Sequence, residues 1–420
     1  MVAAILSIGT ELTRGEVVDR NGPLLASRLT AMGFEISGLC CVDDDLERIA
    51  AAVAHLARGA KVLVTTGGTG AASDDHTIAA VARALGVSVV SHESTLHDLR
   101  RRAGADPDAA HPLDRRAEVP EGAEILSVSD DLAPTFRVTL NDCAVYVLPG
   151  TPDAAERAAD EVLARHLLGA ASPRGATRVL RTYGVDEATL VEKVRGVEAR
   201  FEDVSFALRP VHPEVDVRVI VRDAPPSAAR VRVDAAASEL RAALGDAVFG
   251  EDDETFAAAV GRGLRARGYT LAVAESCTGG LIGAMLTAVP GSSDYLLLDA
   301  VTYANAAKER VLGVEPELLR GHGAVSMECV RAMARGARRV SGADIAVSVS
   351  GVAGPTGGSA ERPVGTVYFA LATEGGVEAV ERRFSGDRAA VQRQAAYLAL
   401  EMVRAQCRGR LPARLPADCG

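Results

Sequence analysis

The chain has 420 residues, which is too long for one ordinary hydrophobic core and predicts two or three domains. Apolar residues make up 48% and charged residues 24% of the sequence, as in soluble globular proteins, so a largely disordered chain is excluded. The formal net charge of −10 argues against a nucleic-acid-binding surface, and we expect no direct nucleic-acid partner.

The termini and the cysteines predict a cytoplasmic protein. The first residues, MVAAILS, lack the basic region of a secretory signal, and no apolar run approaches the roughly 20 residues that a membrane helix needs. We therefore expect no membrane partner. The seven cysteines are scattered and have no CxxC spacing, so reduced thiols are predicted rather than a disulfide framework or a zinc site.

Residues 1–170 alternate between strand and helix patterns. This alternation predicts a mostly parallel sheet with helices on both faces. Two predicted strands end at Gly9-Thr10-Glu11 and at Gly67-Gly68-Thr69-Gly70, where ligands bind in such sheets. The predicted elements are strands 2–8, 34–42 and 61–66, helices 21–32, 46–57, 75–85 and 96–103, a β-rich return 138–148, and a helix 154–167.

The pattern breaks near residue 170 and resumes near residue 255. Residues 171–250 are predicted to form a small α+β linker module, a spacer or dimerisation element, with strand 178–182, helix 187–194, a strand pair within 204–221 and helix 228–244. Residues 251–410 predict a second α/β domain, with strands 270–274, 295–303, 344–350, 364–372 and 377–384 and helices 308–312, 327–340 and 388–407. The predicted fold class is therefore α/β, with two α/β/α sandwich domains joined by the small module.

The stretch AESCTGG, residues 274–280, lies between an apolar run and a helical pattern. At such a strand-to-helix junction, backbone N–H groups and the positive end of the helix dipole suit an oxyanion or a phosphate. Ser276 and Cys277 are both candidates for a nucleophile. The alternative is that Ser276 or Thr278 only caps the helix.

Lysine is scarce in this chain. Of the 46 basic residues, only Lys61, Lys193 and Lys308 are lysines. Arginine does not deprotonate in proteins, whereas a buried lysine can act as a base. Lys308 lies in VTYANAAK, close to Tyr303, so the chain contains the parts of a Ser/Lys site in which a tyrosine hydroxyl orients the lysine. The alternative is a half-buried strand tyrosine and a solvated helix lysine.

Four carboxylates of the first domain are candidate ligands of a divalent metal: Glu11, Asp44, Asp74 and Asp75. Hard cations prefer such oxygen ligands. The alternative is that these residues supply helix N-terminal charge and turn chemistry.

The order of several motifs resembles the CinA family. AESCTGG, VTYANAAKERVLGV, HGAVS, SVSGVAGPTGG, RPVGTVYFA and FSGDR follow one another within the last domain and are similar to the nicotinamide mononucleotide deamidase domain of CinA proteins. GTELTRGEVVDRN, TTGGTGAASDD and YVLPGTPD resemble the molybdopterin-binding-like half, which is associated with ADP-ribose pyrophosphatase activity.

The resemblance implies hydrolysis of nicotinamide mononucleotide to nicotinate mononucleotide and ammonia, in pyridine nucleotide salvage and without a cofactor. It implies Ser276 as nucleophile, Lys308 as base and Tyr303 as its partner, and it suggests a homodimer. Backbone N–H groups near Thr278, Gly279 and Gly280 would stabilise the oxyanion. The other implied substrate-binding residues are Asn305, Ser350, Gly351, Gly354 and Arg388, of which Arg388 suits the phosphate.

The first half departs from the family pattern. The stretch 67–75 lacks the proline and threonine of the usual GGLGPTxDD, and residues 131–136 read DLAPTF where GTAPGF is usual. Glycine lets a phosphate approach the backbone, whereas an added carboxylate repels it. A metal-dependent ADP-ribose pyrophosphatase activity is therefore expected to be weak or absent. The alternative function is a non-catalytic nucleotide- or pterin-binding regulator linked to competence or DNA damage.

Overall fold

The protein is described by a computed structural model that covers residues 1–70, 72, 74–104, 112–128, 134–172, 174–222 and 224–409. The chain forms two compact units, the first spanning Met1–Arg174 and the second beginning at Gly175. No helix in these described ranges is long and apolar enough to cross a lipid bilayer. The predicted small module, apart from its first four residues, lies within the second unit.

The first unit is an α/β domain. Its strands are β1 (Val2–Ile8), β2 (Glu35–Val42), β3 (Val62–Thr66), β4 (Val89–Ser91), β5 (Glu118–Pro120), β6 (Glu124–Val128), β7 (Pro134–Leu140) and β8 (Cys143–Leu148). Its helices are α1 (Thr10–Thr13), α2 (Asn21–Ala31), α3 (Leu46–Gly59), α4 (Thr77–Leu85), α5 (Glu93–Ala103), α6 (Pro152–Arg157) and α7 (Ala164–Leu167), with a π-helical stretch, Ala158–Leu163, between the last two.

The main sheet of this unit has the strand order β2-β1-β3-β8-β7-β6. The first four strands are parallel, whereas β7 pairs in antiparallel fashion with both β8 and β6. The prediction of a mostly parallel sheet is confirmed, and the strand β6 was missed because its sequence EILSV is short and only half-buried. Helices cover both faces, since Ile49 of α3 packs on one side of the sheet and Leu25 of α2 packs on the other.

The small module at the start of the second unit is an antiparallel sheet with two helices. Its elements are β9 (Ala176–Tyr183), α8 (Glu187–Glu198), β10 (Ser205–Val211), β11 (Glu214–Val221), α9 (Pro226–Leu244) and β12 (Val248–Glu251). The strand order is β10-β11-β9-β12. The strand β12 was not predicted, and the chain enters the next domain directly after it.

The rest of the second unit is a second α/β domain. Its strands are β13 (Leu271–Glu275), β14 (Leu296–Val301), β15 (Ile345–Gly351), β16 (Thr366–Thr373) and β17 (Gly376–Arg383). Its helices are α10 (Phe256–Arg267), α11 (Leu281–Thr287), α12 (Asn305–Leu312), α13 (Pro316–His322), α14 (Met327–Ser341) and α15 (Arg388–Cys407).

The sheet of this domain has the order β14-β13-β15-β16-β17. Strands β14, β13 and β15 are parallel, and β16 pairs in antiparallel fashion with both β15 and β17. Apolar residues of α10, α11 and α15, such as Val260, Ile282 and Val391, pack on one face. Those of α12 and α14, such as Leu312 and Met333, pack on the other. The α/β fold class is confirmed, and the carboxyl ends of three parallel strands meet at one edge, as a ligand site requires.

Candidate active site

A buried serine and a buried lysine meet beyond the carboxyl end of β13. The Nζ atom of Lys308 lies 3.0 Å from the Oγ atom of Ser276. Ser276 is 8% exposed and Lys308 is fully buried. Ser276 directly follows β13, and Lys308 lies on the inner face of α12, one turn before the buried Leu312. The structure therefore brings together the residues predicted as nucleophile and base.

The surroundings of Lys308 favour a neutral amine. Burial lowers the pKa of the Lys308 ammonium, an effect that the thiols of Cys329 and Cys277 oppose, and no ion pair among the described residues includes this lysine. Its Nζ atom lies 2.6 Å from the carbonyl oxygen of Thr302 and 3.2 Å from that of Tyr303. A neutral amine has two N–H bonds and one lone pair. With both carbonyls accepting, the lone pair is left for the Ser276 hydroxyl.

Cys277 is the other candidate nucleophile of this turn. Its side chain is 5% exposed and belongs to the hydrophobic core that contains Ile282. Burial raises the pKa of the Cys277 thiol to about 12, so the thiol stays protonated at neutral pH. Its carbonyl oxygen accepts a hydrogen bond from Gln392 Nε2 at 2.7 Å. The geometry favours Ser276 as the nucleophile.

The turn after Ser276 uses two glycines in left-handed conformations. Gly279 has a φ of 66° and Gly280 a φ of 99°, which other residues adopt at a cost in energy. The Gly279 N–H donates to the carbonyl of Ser276, and the Gly280 N–H donates to the carboxylate of Glu275. These bonds conflict with the predicted role of the two glycine amides as oxyanion donors.

The donors that remain in the turn are those of Cys277 and Thr278. Neither backbone N–H group has a hydrogen-bond acceptor among the residues that the structure describes. The Thr278 hydroxyl is buried and also lacks a partner within the described part of the chain. The predicted binding role of Thr278 is therefore compatible with the structure.

Tyr303 contacts the lysine through its backbone rather than through its hydroxyl. It lies beyond the end of β14, its side chain is 60% exposed, and its carbonyl accepts from Lys308. Its hydroxyl accepts a hydrogen bond from Arg388 Nη2 at 3.0 Å. The prediction that the tyrosine hydroxyl orients the lysine does not fit this arrangement.

Arg388 links the other predicted substrate-binding elements. Its Nη1 atom donates to the carbonyl of Gly354 at 2.8 Å, so that the glycine-rich loop after β15 and the start of α15 are joined. A chain of contacts thus runs from Ser276 through Lys308, Tyr303 and Arg388 to Gly354. The guanidinium keeps further N–H donors beyond these two bonds.

Three predicted binding residues stand apart from this chain of contacts. The Ser350 hydroxyl donates to the carbonyl of Ala324 at 2.7 Å, and a Cβ at Gly351 would lie 2.7 Å from the Thr366 carbonyl oxygen. The Ser350 hydroxyl is therefore engaged within the protein and close packing requires glycine at position 351, and the predicted binding role of both residues stays a prediction. Asn305 is an exposed first residue of α12.

The first unit holds a cavity of about 520 Å³ at the carboxyl ends of β1 and β3. Position 67, on the wall of this cavity, requires glycine, because a Cβ there would lie 2.1 Å from the Ile8 carbonyl oxygen. The residues that line this cavity include both predicted loops and both charge types: Gly9, Glu11, Asp19, Arg20, Asn21, Asp44, Gly67, Gly68, Thr69, Gly70, Asp74, Asp75, Arg116 and Gly150. The cavity lies at the predicted edge of this sheet, and ligand binding there stays a prediction.

The four predicted metal ligands, Glu11, Asp44, Asp74 and Asp75, all line this cavity. The Asp44 carboxylate accepts two hydrogen bonds from Thr10, at 2.7 and 2.9 Å, and the Asp75 carboxylate accepts from the Ala72 N–H. Within the described ranges, no three His, Cys, Asp or Glu side chains are placed to hold a metal ion. The arrangement does not fit a metal held by several carboxylates. Asp131, the added carboxylate of the stretch DLAPTF, lies outside the described residues.

Three family descriptions match successive parts of the chain. "Probable molybdopterin binding domain" matches residues 4–169, "Damage-inducible protein CinA KH domain" matches 177–250, and "CinA C-terminal domain" matches 253–407. A CinA-like protein of Desulfosudis oleivorans is 39% identical over 409 residues, which are 96% of this chain and 99% of the relative. The chain belongs to the CinA family. A CinA-like protein of an Anaeromyxobacter species is 40% identical over 95% of this chain and 98% of its own length.

A solved structure of a CinA superfamily protein from Klebsiella pneumoniae is 41% identical to part of this CinA-family chain. It covers 37% of this chain and 96% of its own chain, with a TM-score of 0.36.

The site contains residues that the sequence analysis missed. Glu275, fully buried, accepts from the Gly280 and Gly283 N–H groups, and it is hydrogen-bonded to Asp299 of β14. Gln392, one turn after Arg388 on α15, holds the Cys277 carbonyl. An acid inside an apolar strand, as in LAVAE and LLLDAV, is the signal that could have identified Glu275 and Asp299.

Proposed function

We propose that the last domain hydrolyses the carboxamide of nicotinamide mononucleotide to nicotinate mononucleotide and ammonia. One observation carries this proposal: a fully buried lysine without an ion-pair partner in the described residues lies 3.0 Å from a serine hydroxyl. Holding a lysine in this way destabilises its charged form and makes it a base. Membership of the CinA family is consistent with this activity.

In the proposed reaction, Ser276 Oγ attacks the carboxamide carbon while Lys308 Nζ takes the hydroxyl proton. The tetrahedral oxyanion is stabilised by the N–H groups of Cys277 and Thr278, which have no acceptor among the described residues. Lys308 then gives its proton to the leaving amine. Ammonia departs, and the acyl group of the substrate remains as an ester on Ser276. Water, deprotonated by Lys308, hydrolyses that ester and restores the serine.

The substrate phosphate is assigned to Arg388. Its guanidinium already contacts Gly354 and the Tyr303 hydroxyl, so it is held in place on the loop side of the site. A guanidinium has five N–H donors and binds a phosphate through two of them at once. Tyr303, 60% exposed, is free to rest against the ribose or the pyridine ring.

The first unit is proposed to bind a nucleotide or pterin ligand in its cavity, with weak or absent ADP-ribose hydrolysis. The support is the glycine-lined edge at Gly67 and Gly68 together with a carboxylate arrangement that does not fit a metal. A regulator without catalysis is the alternative for the whole chain. The Ser276–Lys308 contact speaks against it, because a pure binder gains nothing from a buried base.

Release of ammonia from nicotinamide mononucleotide by the full chain tests the proposal. We expect turnover without added cofactor. Absence of release by folded protein that still binds the nucleotide would favour the regulator. The homodimer and the cytoplasmic location stay predictions, and a measurement of mass in solution tests the first.

A further inference from the structure

Two buried carboxyl groups lie side by side beneath the Ser276 turn. Glu275 ends β13 and Asp299 lies on the parallel neighbour β14, where it is paired with Val273. Because Val273 and Glu275 are two residues apart, their side chains share one face of the sheet, and Asp299 points to the same face. A side-chain hydrogen bond joins Asp299 to Glu275. Two carboxyl groups in such contact repel each other when both are ionised, which favours the form that keeps one proton.

The negative charge of this pair belongs on Glu275. Its two carboxylate oxygens accept from the Gly280 N–H at 2.9 Å and from the Gly283 N–H at 2.8 Å. Both donors lie at the start of α11, where the helix dipole favours an anion. Asp299 therefore carries the proton, and its carboxyl O–H donates a hydrogen bond to the Glu275 carboxylate. Burial, followed by the charge of Glu275, raises the pKa of Asp299 to about 7.

The local packing is built for this pair. A Cβ at position 283 would lie 1.8 Å from Asp299 Oδ2, so glycine is required there for the aspartate to reach its place. The Asp299 Oδ1 atom is buried and has no hydrogen-bond partner among the described residues.

Glu275 is linked to both members of the serine–lysine pair, directly to the Ser276 turn and through Thr302 to Lys308. Its carboxylate closes the turn that carries Ser276. Its backbone carbonyl accepts the Thr302 N–H at 2.8 Å, and the Thr302 carbonyl in turn accepts from Lys308 at 2.6 Å. A shift of Glu275 would therefore move the nucleophile and the base relative to each other.

We propose that Glu275 and Asp299 are positioning residues of the deamidase, and that the proton shared between them holds Ser276 within reach of Lys308. The inference rests on the proposed function. When Asp299 ionises, two adjacent carboxylates repel each other and the turn loses its hold. Activity then falls as the pH rises through about 7, the pKa of Asp299.

Other ionisable groups near the pair do not account for such a fall. The helix α11 carries none, and Asp294, in the turn before β14, is ion-paired with Arg265. Cys329 of α14 lies near Lys308, and burial raises the pKa of its thiol to about 11. Lys308 gains activity, rather than losing it, as it deprotonates. In the described part of the chain, Cys277 and Arg388 also lie near the turn, and burial raises the pKa of the Cys277 thiol to about 12.

Three variants test the proposal: E275Q, D299N and D344N. A glutamine at position 275 offers one acceptor oxygen for two backbone donors, so we expect kcat to fall roughly tenfold or more with little change in KM. An asparagine at position 299 donates to Glu275 at every pH, so the alkaline fall should disappear. The control D344N removes a carboxylate that accepts from Thr270 at the opposite end of β13, and it should behave as the unmodified chain.

Two readouts keep this inference separate from the proposed function. One is ammonia release from nicotinamide mononucleotide as a function of pH. The other is covalent labelling of Ser276 by a fluorophosphonate, which forms a P–O bond, releases fluoride and is located by peptide mass spectrometry. Labelling that falls above about pH 7 in the unmodified chain and does not fall in D299N supports the inference, even if nicotinamide mononucleotide is not a substrate.

Three results would overturn the inference. They are an alkaline fall that persists in D299N, a loss in E275Q no larger than in D344N, and failure of Ser276 to react in the unmodified chain at any pH. Because D299N keeps the size of the side chain, the pH comparison is decisive even if E275Q does not fold.

Discussion

The Nζ atom of Lys308 and the Oγ atom of Ser276, 32 residues apart in the chain, lie 3.0 Å from each other in a buried setting. In the neutral amine, two carbonyl groups accept the N–H bonds, which leaves the lone pair for the serine hydroxyl. This relationship supports the proposed chemistry most directly and leads to the first two predictions.

Removal of either member of this pair should abolish most activity. We expect Ser276→Ala and Lys308→Arg each to reduce kcat roughly a hundredfold or more, because arginine keeps the charge but cannot accept a proton. The measurement is ammonia release, with circular dichroism as the check on folding. Cys277→Ala is the matched control and should keep activity within a few-fold. An inactive Cys277→Ala beside an active Ser276→Ala would instead identify a thiol amidase.

The pH dependence of kcat/KM should show an ascending limb set by Lys308. The neutral amine is the active form, and burial lowers its pKa below the ordinary value of 10.5, so activity is gained at a correspondingly lower pH as the proton leaves. The limb is best measured in D299N, which is expected to lack the alkaline fall. A midpoint at or above 10.5 would show that this lysine is not the base.

Arg388→Ala should impair phosphate binding rather than chemistry. We expect KM for nicotinamide mononucleotide to rise roughly ten- to a hundredfold, the range expected for loss of a charge-assisted contact, with a smaller change in kcat. Turnover of nicotinamide riboside, which lacks the phosphate, should change little. Arg393→Ala is the control, since Arg393 is an exposed residue of the same helix. Equal losses with both substrates would assign Arg388 to the architecture of the site instead.

The first unit should show weak or no hydrolysis of ADP-ribose, and Mg²⁺ should not raise its melting temperature. The reason is that no three carboxylates within the described ranges are placed to hold a metal. ADP-ribose hydrolysis and the melting temperature, each with and without Mg²⁺, are measured on a fragment of residues 1–174, which form a compact unit. Robust turnover that depends on the metal would mean that the carboxylates of the cavity rearrange around it.

The last domain should remain active when it is expressed from residue 251, but with lower stability. All residues of the proposed reaction lie after position 251. The small module nevertheless contributes Phe249 to the core of this domain, and Tyr397 donates to the buried Glu214 at 2.5 Å. Loss of a buried aromatic side chain from a core costs about 3–5 kcal/mol. Thermal unfolding of fragments that begin at 175 and at 251 measures the difference, and equal melting temperatures would contradict it.

The sequence alone predicted the alternation of elements and the serine–lysine pair of the candidate site. Short apolar runs such as 62–66 and 271–275 have the length of strands that are covered on both faces, so the strands and the α/β class followed from the local pattern. The resemblance to the CinA family identified Ser276 and Lys308. The scarcity of lysine also made Lys308 a candidate base, as one of only three lysines in the chain.

Tertiary structure decided which polar groups are already engaged. The Gly279 and Gly280 amides, the Ser350 hydroxyl and the Tyr303 hydroxyl each have partners within the protein. Hydrogen bonds across strands and loops depend on distances that no local pattern contains. The Glu275–Asp299 pair became visible for the same reason, because only the parallel register of β13 and β14 places these two acids, 24 positions apart in the chain, on one face.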